Sequence, residues 1–525
     1  MKVATRRAPV DIPIPGLIAK VALLGILNAL AIWAIFVLIG ESAYWIAVML
    51  AAGCALIDWV FLTPRLFPWR YLIPGLIFMA AMVVYPICYT VAVAFTNYGT
   101  GHLLTKEQVI ENYLSRATLQ EDAPEYPAAM YKSHDGRFAV VLIDPKGEKL
   151  LGVDGEVLPL GEVQLPVEYA DSDGVPESIG PYQRLGTLEL FQHMSAVEAL
   201  QFHFEDFILK MRNVDRFATY KPQYSYDSNL DALIDTTTGK VYTATQGTFL
   251  ADDGEALDVG YRAPVGWSNF ARLIRSPQVS GPFFRVFVWT FEWAALSVVT
   301  TFILGLLLAV LLNDQKMKFK GFYRVLLVIP YAMPAFISAL IWRGLLNAEV
   351  GLINDMLQFL FNVRVPWLQD PFWAKVALII VNLWLGFPYM MLVSLGSLQS
   401  IPDELYEASR VDGATGWQQF WHVTFPLLLV SVAPLLVSSF AFNFNNFGVI
   451  YLVTQGRPAI PGAQTPAGAT DILITYTYRL AFESGSGTDY GLASAVTILI
   501  FLIIGTLSWF NFRFTGALEE VHENV

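Results

Sequence analysis

Long apolar runs, separated by shorter polar segments, dominate the pattern of this chain. Runs of about 18 or more apolar residues are long enough to cross a lipid bilayer. Eight such runs predict eight membrane-spanning helices, so the expected fold class is an all-α polytopic membrane protein with one inserted domain. The predicted spans cover residues 17–39, 43–61, 71–96, 286–312, 325–345, 374–396, 425–453 and 490–511.

The first apolar run is interpreted as an anchor and not as a secretory signal. It follows Lys2, Arg6 and Arg7, as the apolar part of an export signal would. However, the run is too long, lacks a small-residue cleavage site and is followed at once by a second run.

Composition supports a membrane protein. Of the 525 residues, 55% are hydrophobic and 15% are charged, unlike the balance of a soluble globular protein. Cys54 and Cys88 both fall in predicted spans. The inserted domain, which has no cysteine, must therefore fold without disulfide bonds.

Basic residues in the connecting segments predict the orientation of the chain. Lysine and arginine accumulate in cytoplasmic loops, and alternate loops of this chain are rich in them. Both termini are therefore predicted to be cytoplasmic, with residues 97–285 on the outer side. The residues used are Lys2, Arg6, Arg7, Arg65, Arg70, Lys316, Lys318, Lys320, Arg324, Arg410 and Arg513.

Three domains follow from this arrangement: spans one to three at 1–96, an external insertion at 97–285, and spans four to eight at 286–525. The insertion holds 27 Asp and Glu against 16 Lys and Arg, most of the formal net charge of −12. An acidic external domain of this kind does not favour nucleic acid or anionic lipid as its partner.

The insertion reads mainly as β strands. Two β-rich runs flank a turn at 137–153 and again at 232–245, and 247–259 is a third candidate hairpin. Residues 195–213 have apolar residues at helical spacing and predict a helix.

No catalytic or metal site is predicted in the insertion. His193 and His203 have no matching pair of ligands, and the sequence DSDG at 171–174 lacks the remaining ligands of a calcium loop. A membrane enzyme or sensor is therefore disfavoured, and a surface that binds another protein is the expected role.

A polar segment at 401–426, between the sixth and seventh spans, predicts a small helix–turn–helix on the inner face. Pro402, with two acids after it, starts a helix, and Gly413 permits a left-handed turn. A second helix then runs from about Trp417 to Pro426. An amphipathic helix resting on lipid would give a similar pattern.

The spacing in this segment resembles the signature loop of the permease subunits of ATP-binding-cassette importers. Glu407-Ala408-Ser409, three residues, Gly413, nine residues and 423–426 follow that signature, with Ser409, Val423 and Phe425 as departures. The motifs at 323–334, 382–391, 401–414, 438–447 and 465–482 further resemble the maltose/maltodextrin members of this family. The resemblance implies the type I importer permease fold and a loop that docks on an ATPase through Glu407, Ala408, Ser409, Asp412, Gly413 and Pro426.

Two predicted spans each carry a polar and aromatic stripe. Residues at i, i+3, i+4 and i+7 lie on one face of a helix, and both stripes have this spacing. Such a stripe is typical of contacts between helices, but the nearby Pro330, Pro334 and Pro388 favour a polar path. The stripes are Ser439, Phe442, Asn443 and Asn446 in one span, and Asn382, Leu385, Gly386 and Tyr389 in the other.

Amides and aromatic rings without charge suit an uncharged polyol. The family resemblance sharpens this to maltose or maltodextrin and implies that Tyr331 and the eight stripe residues line the sugar site. Asn445 lies off the stripe and is expected to bond a neighbouring helix. Ala335 stands where the family pattern has a serine, which removes one possible hydrogen bond to sugar.

The energy source is predicted to be another protein, because the chain has no G-x-x-x-x-G-K-[ST] motif. The resemblance implies a MalG-like second permease, two MalK-like ATPase subunits that hold ATP and magnesium, and a periplasmic maltose-binding protein. This chain would bind no cofactor, catalyse no reaction and lie in the bacterial inner membrane.

An ion-coupled sugar carrier that acts alone is the alternative. Such a carrier places acidic or histidine side chains inside its bundle as a relay. Asp58 and Glu292 are the only acidic residues in the predicted spans, and both are expected near the ends of their helices.

Overall fold

A computed structural model describes residues 14–41, 43–119, 124–163, 165–169, 174–204, 207–314, 316–483 and 487–523. Lys2, Arg6 and Arg7 of the orientation argument, and residues 171–173 of the calcium-loop candidate, lie outside these ranges. The predicted orientation therefore stays a prediction. The chain divides into two compact units, one up to Val91 and the other from Ala92 onward.

Apolar helices form the first unit, as predicted from the runs at 17–39, 43–61 and 71–96. The third span is continuous but contains a π-helical segment at Ala80–Val84, just before Pro86, which has no amide hydrogen to offer the helix ladder. Asn28 donates hydrogen bonds of 3.0 Å to both carboxylate oxygens of Asp58. The helices are α1 Ile14–Gly40, α2 Tyr44–Leu62, α3 Trp69–Met79 and α4 Tyr85–Ala94.

The insertion is rich in strands, as predicted. One sheet has eleven strands in the order β1-β11-β10-β9-β5-β4-β3-β2-β8-β7-β6, and a further β11–β2 pairing closes part of it into a barrel. A second sheet has the order β12-β13-β14-β15. The strands are β1 Ala117–Leu119, β2 Glu125–Ser133, β3 Phe138–Ile143, β4 Lys149–Val153, β5 Glu156–Pro159, β6 Val167–Glu168, β7 Ser178–Ile179, β8 Tyr182–Arg184, β9 Gln201–Phe204, β10 Phe207–Asn213, β11 Arg216–Pro222, β12 Tyr224–Asp227, β13 Ala232–Asp235, β14 Val241–Thr245 and β15 Thr248–Ala251.

The hairpins predicted at 137–153 and 232–245 are confirmed as β3–β4 and β13–β14. In the third candidate, 247–259, the first arm is β15, but the second arm makes only an isolated bridge between Leu250 and Ala256. The predicted helix at 195–213 is wrong. Most of that segment forms antiparallel strands β9 and β10, because β9 pairs with β5 and β10 with β11 in the sheet. Phe202 is buried between two exposed neighbours.

The helices of the insertion and of the second half of the chain complete the fold. Among the described residues, seven helices of the whole chain are long and apolar enough to span a membrane, and one bent pair makes an eighth span possible. The helices are α5 Lys106–Leu114, α6 Thr187–Gln192, α7 Met194–Glu198, α8 Ser268–Arg275, α9 Pro277–Asn313, α10 Lys320–Ala332, α11 Ala335–Leu345, α12 Leu352–Phe361, α13 Pro371–Gln399, α14 Asp403–Val411, α15 Gly416–Gln419, α16 Phe425–Phe444, α17 Phe447–Val453, α18 Leu473–Phe482 and α19 Tyr490–Glu523.

Two predicted spans are not single straight helices. The run at 325–345 is bent by 89° between α10 and α11. Pro334 explains the break, because it has no amide hydrogen and disfavours helical geometry at Met333, which is extended. The run at 425–453 ends its first helix at Phe444 and starts again at Phe447.

Close contact between α9 and α13 holds the centre of this bundle together. A side chain at Gly305 would lie 2.6 Å from the backbone nitrogen of Met391, and one at Gly386 would lie 2.8 Å from Cγ2 of Thr301. Glycine at these two positions lets the helices pack backbone to backbone. The cavity described next opens beside this contact.

Candidate functional site

A cavity of about 570 Å³ lies between α9, α13, the bend of α10 and α11, and the break between α16 and α17. This size is within the usual range for small-molecule sites. None of its lining side chains carries a charge. They are Thr301, Pro330, Tyr331, Met333, Ala335, Asn382, Leu385, Gly386, Tyr389, Met390, Ser438, Ser439, Phe442, Asn443, Asn446 and Val449.

All nine residues named from the sequence as sugar-site candidates line this one cavity. Their role in binding sugar stays a prediction. Sequence reasoning missed other lining residues, among them Thr301. Its hydroxyl donates to the carbonyl of Ser297 at 2.6 Å within α9. Thr290, Ser297 and Thr301 lie on one buried face of α9, and this spacing is the signal that could have found Thr301.

The amides of Asn382 and Asn443 join α13 to α16 at the cavity wall. Nδ2 of Asn382 donates to Oδ1 of Asn443 at 3.1 Å, and Nδ2 of Asn443 donates to the carbonyl of Ser439 at 2.9 Å. Trp293 of α9 donates to the backbone carbonyl of Asn443 at 3.0 Å. Both amides are buried, so their polar atoms are largely satisfied by the protein itself.

The sequence predicted that Asn446 continues the helical stripe of Ser439, Phe442 and Asn443, but in the structure it does not. The helix ends at Phe444, and Asn446 caps the next one by accepting from the amide of Val449 at 3.4 Å. Its side chain still reaches the cavity. The polar run in the middle of an apolar segment is thus explained, since a helix break leaves backbone groups that asparagine can satisfy.

Asn445 behaves differently from the prediction. Its side chain is exposed and makes no hydrogen bond within the described part of the chain. The expected bond to a neighbouring helix of this chain is therefore wrong.

Aromatic rings supply the apolar surface of the cavity. The rings of Tyr331 and Tyr389 are nearly parallel, with centroids 6.5 Å apart. Phe442 is 70% exposed and lines the same cavity. Flat rings beside amides and hydroxyls suit a neutral solute with both polar edges and apolar faces.

The bend between α10 and α11 shapes one wall of the cavity. Pro330, Met333 and Ala335 all line it, and all belong to the broken span. Ala335, the first residue of α11, lines the cavity. The methyl group offers no hydrogen bond at that point.

The loop at 401–426 forms the predicted helix–turn–helix. α14 is followed by Gly413 with a φ of +81°, a left-handed turn that favours glycine. Thr415 then caps the next helix by accepting from the amide of Gln418. This helix continues through a π-helical segment, Phe420–Thr424, into α16, so the turn is rigidly tied to a membrane-spanning helix.

Ser409, which replaces the third small residue of the signature, links the two arms of this loop. Its hydroxyl donates to the carbonyl of Tyr406, and Nε2 of Gln419 donates to that hydroxyl at 2.8 Å. The hydroxyls of Tyr406 and Thr424 are 3.1 Å apart. Glu407, Ala408 and Asp412, in contrast, are exposed.

Exposed apolar side chains surround the turn. Val411 is 87% exposed and Trp417 is 71% exposed, and Leu405 also faces outward. Apolar side chains at the tip of a polar loop mark a surface for another protein or a membrane.

A buried ion pair fixes the segment between α17 and α18. Nη1 of Arg479 lies 2.7 Å from Oδ2 of Asp471, which has no exposed side-chain surface and also accepts from the amide of Gly468. Burial raises the pKa of Asp471 to about 6, and the positive charge of Arg479 opposes this rise. Gly456 packs so close to this carboxylate that a side chain there would collide with it.

Two family descriptions match parts of the chain. Residues 301–515 match the binding-protein-dependent transport system inner membrane component, and residues 77–155 match the N-terminal region of the transmembrane subunit in binding-protein-dependent ABC transporters. The MalF protein of Vibrio vulnificus YJ016, a maltose/maltodextrin transport system permease, is 36% identical over 94% of both chains. This chain belongs to the MalF family.

Other MalF proteins give the same result. Those of Klebsiella aerogenes and Escherichia coli O157:H7 are 37% and 36% identical, each over 94% of this chain and 96% of the relative. Among solved structures, a bacterial ABC transporter for import of the acidic polysaccharide alginate is 27% identical, with a TM-score of 0.41, over 48% of this chain and 84% of that one. The chain is a multi-pass membrane permease of the ABC importer class.

Proposed function

We propose that this chain passes maltose or short maltodextrins across the bacterial inner membrane as one of two permease subunits of an ATP-driven importer. The cavity carries this proposal, because its uncharged wall of amides, hydroxyls and exposed rings matches the polar edges and apolar faces of a sugar. The names of the MalF relatives support maltose as the solute. We also propose that both termini lie in the cytoplasm and that the β-rich insertion lies in the periplasm.

Sugar enters the cavity when the two permease subunits part on the outer side, and it leaves when they part on the inner side. Phe442 and Tyr331 are exposed beside the cavity and offer their ring faces to the sugar. Asn446 and Ser439 offer polar groups at the break between α16 and α17. The bend of α10 and α11 keeps one wall open, so that sugar hydroxyls replace water without a charged residue.

Coupling to ATP uses the loop at 401–426. We assign its exposed apolar tip, with Val411 and Trp417, to a cleft on a MalK-like ATPase, one of two that bind ATP and magnesium. Since this loop continues directly into α16, a displacement of the docked turn moves the helix that carries Ser439, Phe442 and Asn443. The chain itself has no nucleotide-binding motif and is assigned no catalysis.

A MalG-like permease, the two ATPase subunits and a periplasmic maltose-binding protein complete the proposed assembly. The ion-coupled alternative is not favoured by the positions of the acidic side chains. Asp58 is bonded to Asn28, and Glu292 lies outside the lining of the cavity. No acidic or histidine side chain of the described residues lines the cavity.

Uptake in proteoliposomes tests the proposal. The chain, purified with the subunits that accompany it, should accumulate labelled maltose only when ATP is present on the cytoplasmic side and the binding protein on the other. Accumulation driven by a proton or sodium gradient without nucleotide would support the ion-coupled carrier instead.

A further inference from the structure

A second groove lies on the outside of the bundle, where α9 and α13 begin next to the segment at 459–469. It has a volume of about 540 Å³ and combines apolar walls with three charged side chains. We name it the α9/α13 groove. Its charged residues are Arg285, Glu292 and Lys375, and its larger apolar residues are Phe284, Val288, Trp289 and Ile460.

The charges of this groove are only partly balanced by the protein. Nζ of Lys375 lies 3.9 Å from Oε2 of Glu292, longer than a hydrogen bond, and 4.2 Å from the ring centre of Trp289. Arg285 is exposed and makes no ion pair among the described residues. Two positive groups face one carboxylate, so the groove keeps one net positive charge.

These charges lie near the starts of two membrane-spanning helices. α9 and α13 both start at the end of the bundle that carries the β-rich insertion, and Lys375 is only four residues from the start of α13. Arg285 precedes Glu292 by seven residues, or about 10 Å along a helix axis. The apolar part of α9 continues from Glu292 toward the opposite end of the bundle.

Below the charges, α9 exposes a stripe suited to an acyl chain. Leu296, Val299, Ile303 and Leu307 follow Glu292 at intervals of three and four residues, and each is about half exposed. Small residues mark contacts between membrane helices. On α9, Gly305 lies on the buried side, where it touches α13, whereas Ala295 is exposed beside this stripe.

We propose that the α9/α13 groove binds one anionic phospholipid, with phosphatidylglycerol as the reference ligand. Its phosphodiester lies between Arg285 and Lys375 and neutralises the remaining positive charge. Its glycerol contacts Glu292, and one acyl chain follows the exposed stripe of α9. A zwitterionic lipid brings its own ammonium group and leaves the groove charged.

Native mass spectrometry of the purified full-length protein, with its accompanying subunits, tests this assignment. After mild delipidation, titration with phosphatidylglycerol should show one tightly retained molecule, and phosphatidylethanolamine should be retained more weakly. Arg285→Gln and Lys375→Gln should each weaken phosphatidylglycerol retention roughly fivefold. Arg343→Gln, which removes an exposed arginine outside this groove, is the matched control and should leave retention unchanged.

A second variant keeps the test independent of the charges. Val288→Trp adds bulk to an exposed apolar position in the groove and should displace the lipid while the protein keeps its thermal stability. Equal retention of both lipids, or unchanged phosphatidylglycerol binding in Arg285→Gln and Val288→Trp, would overturn the assignment. A photo-crosslinker at Val288 should label lipid, and a crosslink to another protein would identify a subunit interface instead.

Discussion

Asn382 of α13 and Asn443 of α16 are joined by a side-chain hydrogen bond of 3.1 Å, and both line the same cavity. Contacts between helices and contacts with a solute are therefore not exclusive roles for these amides. The bond uses Nδ2 of Asn382 and Oδ1 of Asn443, while Oδ1 of Asn382 accepts no hydrogen bond from the residues that the structure describes. One pair of asparagines fixes the wall and presents a polar edge.

Replacing one member of this pair should have two effects. In Asn443→Leu the buried amide of Asn382 loses its acceptor, which costs about 1–3 kcal/mol of unfolding free energy, and sugar uptake should fall sharply. In the double variant Asn382→Leu with Asn443→Leu, stability should largely return because no buried polar group is left unpaired. Thermal unfolding and maltose uptake of the two variants and of the wild type check both effects.

The double variant separates the two roles. Sugar uptake by the double variant should stay low even though its stability has largely returned. If uptake recovers together with stability, the asparagines serve only to join helices, and the sugar site lies elsewhere.

Ala335→Ser should strengthen sugar binding. The added hydroxyl faces the cavity at the start of α11, and one extra hydrogen bond of about 1 kcal/mol corresponds to roughly fivefold in affinity. The apparent KM for transport, measured at saturating binding protein, should fall accordingly. Ala332→Ser, an exposed neighbour outside the cavity, should leave KM unchanged, and an equal change in both would contradict the assignment.

Phe442→Ala should weaken transport of maltose without harming the fold. The ring is largely exposed beside the cavity, so its loss leaves little buried space. An aromatic face is worth up to about 1.5 kcal/mol, or roughly tenfold in affinity. Phe336→Ala removes another exposed ring, on α11 and outside the cavity, and should transport normally. Equal uptake by both variants would remove Phe442 from the solute path.

Much of the fold follows from short-range patterns in the sequence. Apolar length predicts the spans, and turn residues between β-rich runs predict the hairpins at 137–153 and 232–245. The segment at 195–213 shows where this fails. Its apolar residues fit helical spacing, but the pairing of β9 with β5 and closure of the barrel decide its structure, and such long-range pairing leaves no local signal.

The breaks within two of the spans are the other feature that the sequence does not predict in full. Pro330 and Pro334 indicate a weak point in the fifth span, but proline alone does not distinguish a mild kink from the observed bend of 89°. The break at Asn445 has no proline or glycine at its centre. The eight stripe residues nevertheless line one cavity together with Tyr331, which the family resemblance supplied. Each stripe depends on local helical spacing, which the breaks change only at Asn446.

The pH dependence of stability should report on Asp471. Burial raises its pKa to about 6, above the ordinary 3.8, so the folded state favours the protonated acid. The stabilisation from this proton is complete at a pH below the ordinary pKa of the carboxyl group and is lost as pH rises through about 6. Asp471→Asn should remove this dependence, seen as a smaller change in Tm between pH 5 and pH 7. Glu349→Gln, an exposed carboxylate, should keep the wild-type dependence, and an unchanged profile in Asp471→Asn would contradict the assignment.

The turn of the loop at 401–426 should depend on the backbone conformation of Gly413 and not on the volume of a side chain at that position. Its φ of +81° is strained for any residue with a side chain, although a Cβ there meets no neighbour. Gly413→Val should therefore destabilise the turn by about 1 kcal/mol or more. Uptake and copurification of the ATPase should fall while membrane insertion is unchanged. Gly416→Val is the matched control, because Gly416 also has free space but an ordinary helical backbone. If the Gly413 variant retains the ATPase as well as the Gly416 variant does, the turn is not the docking point.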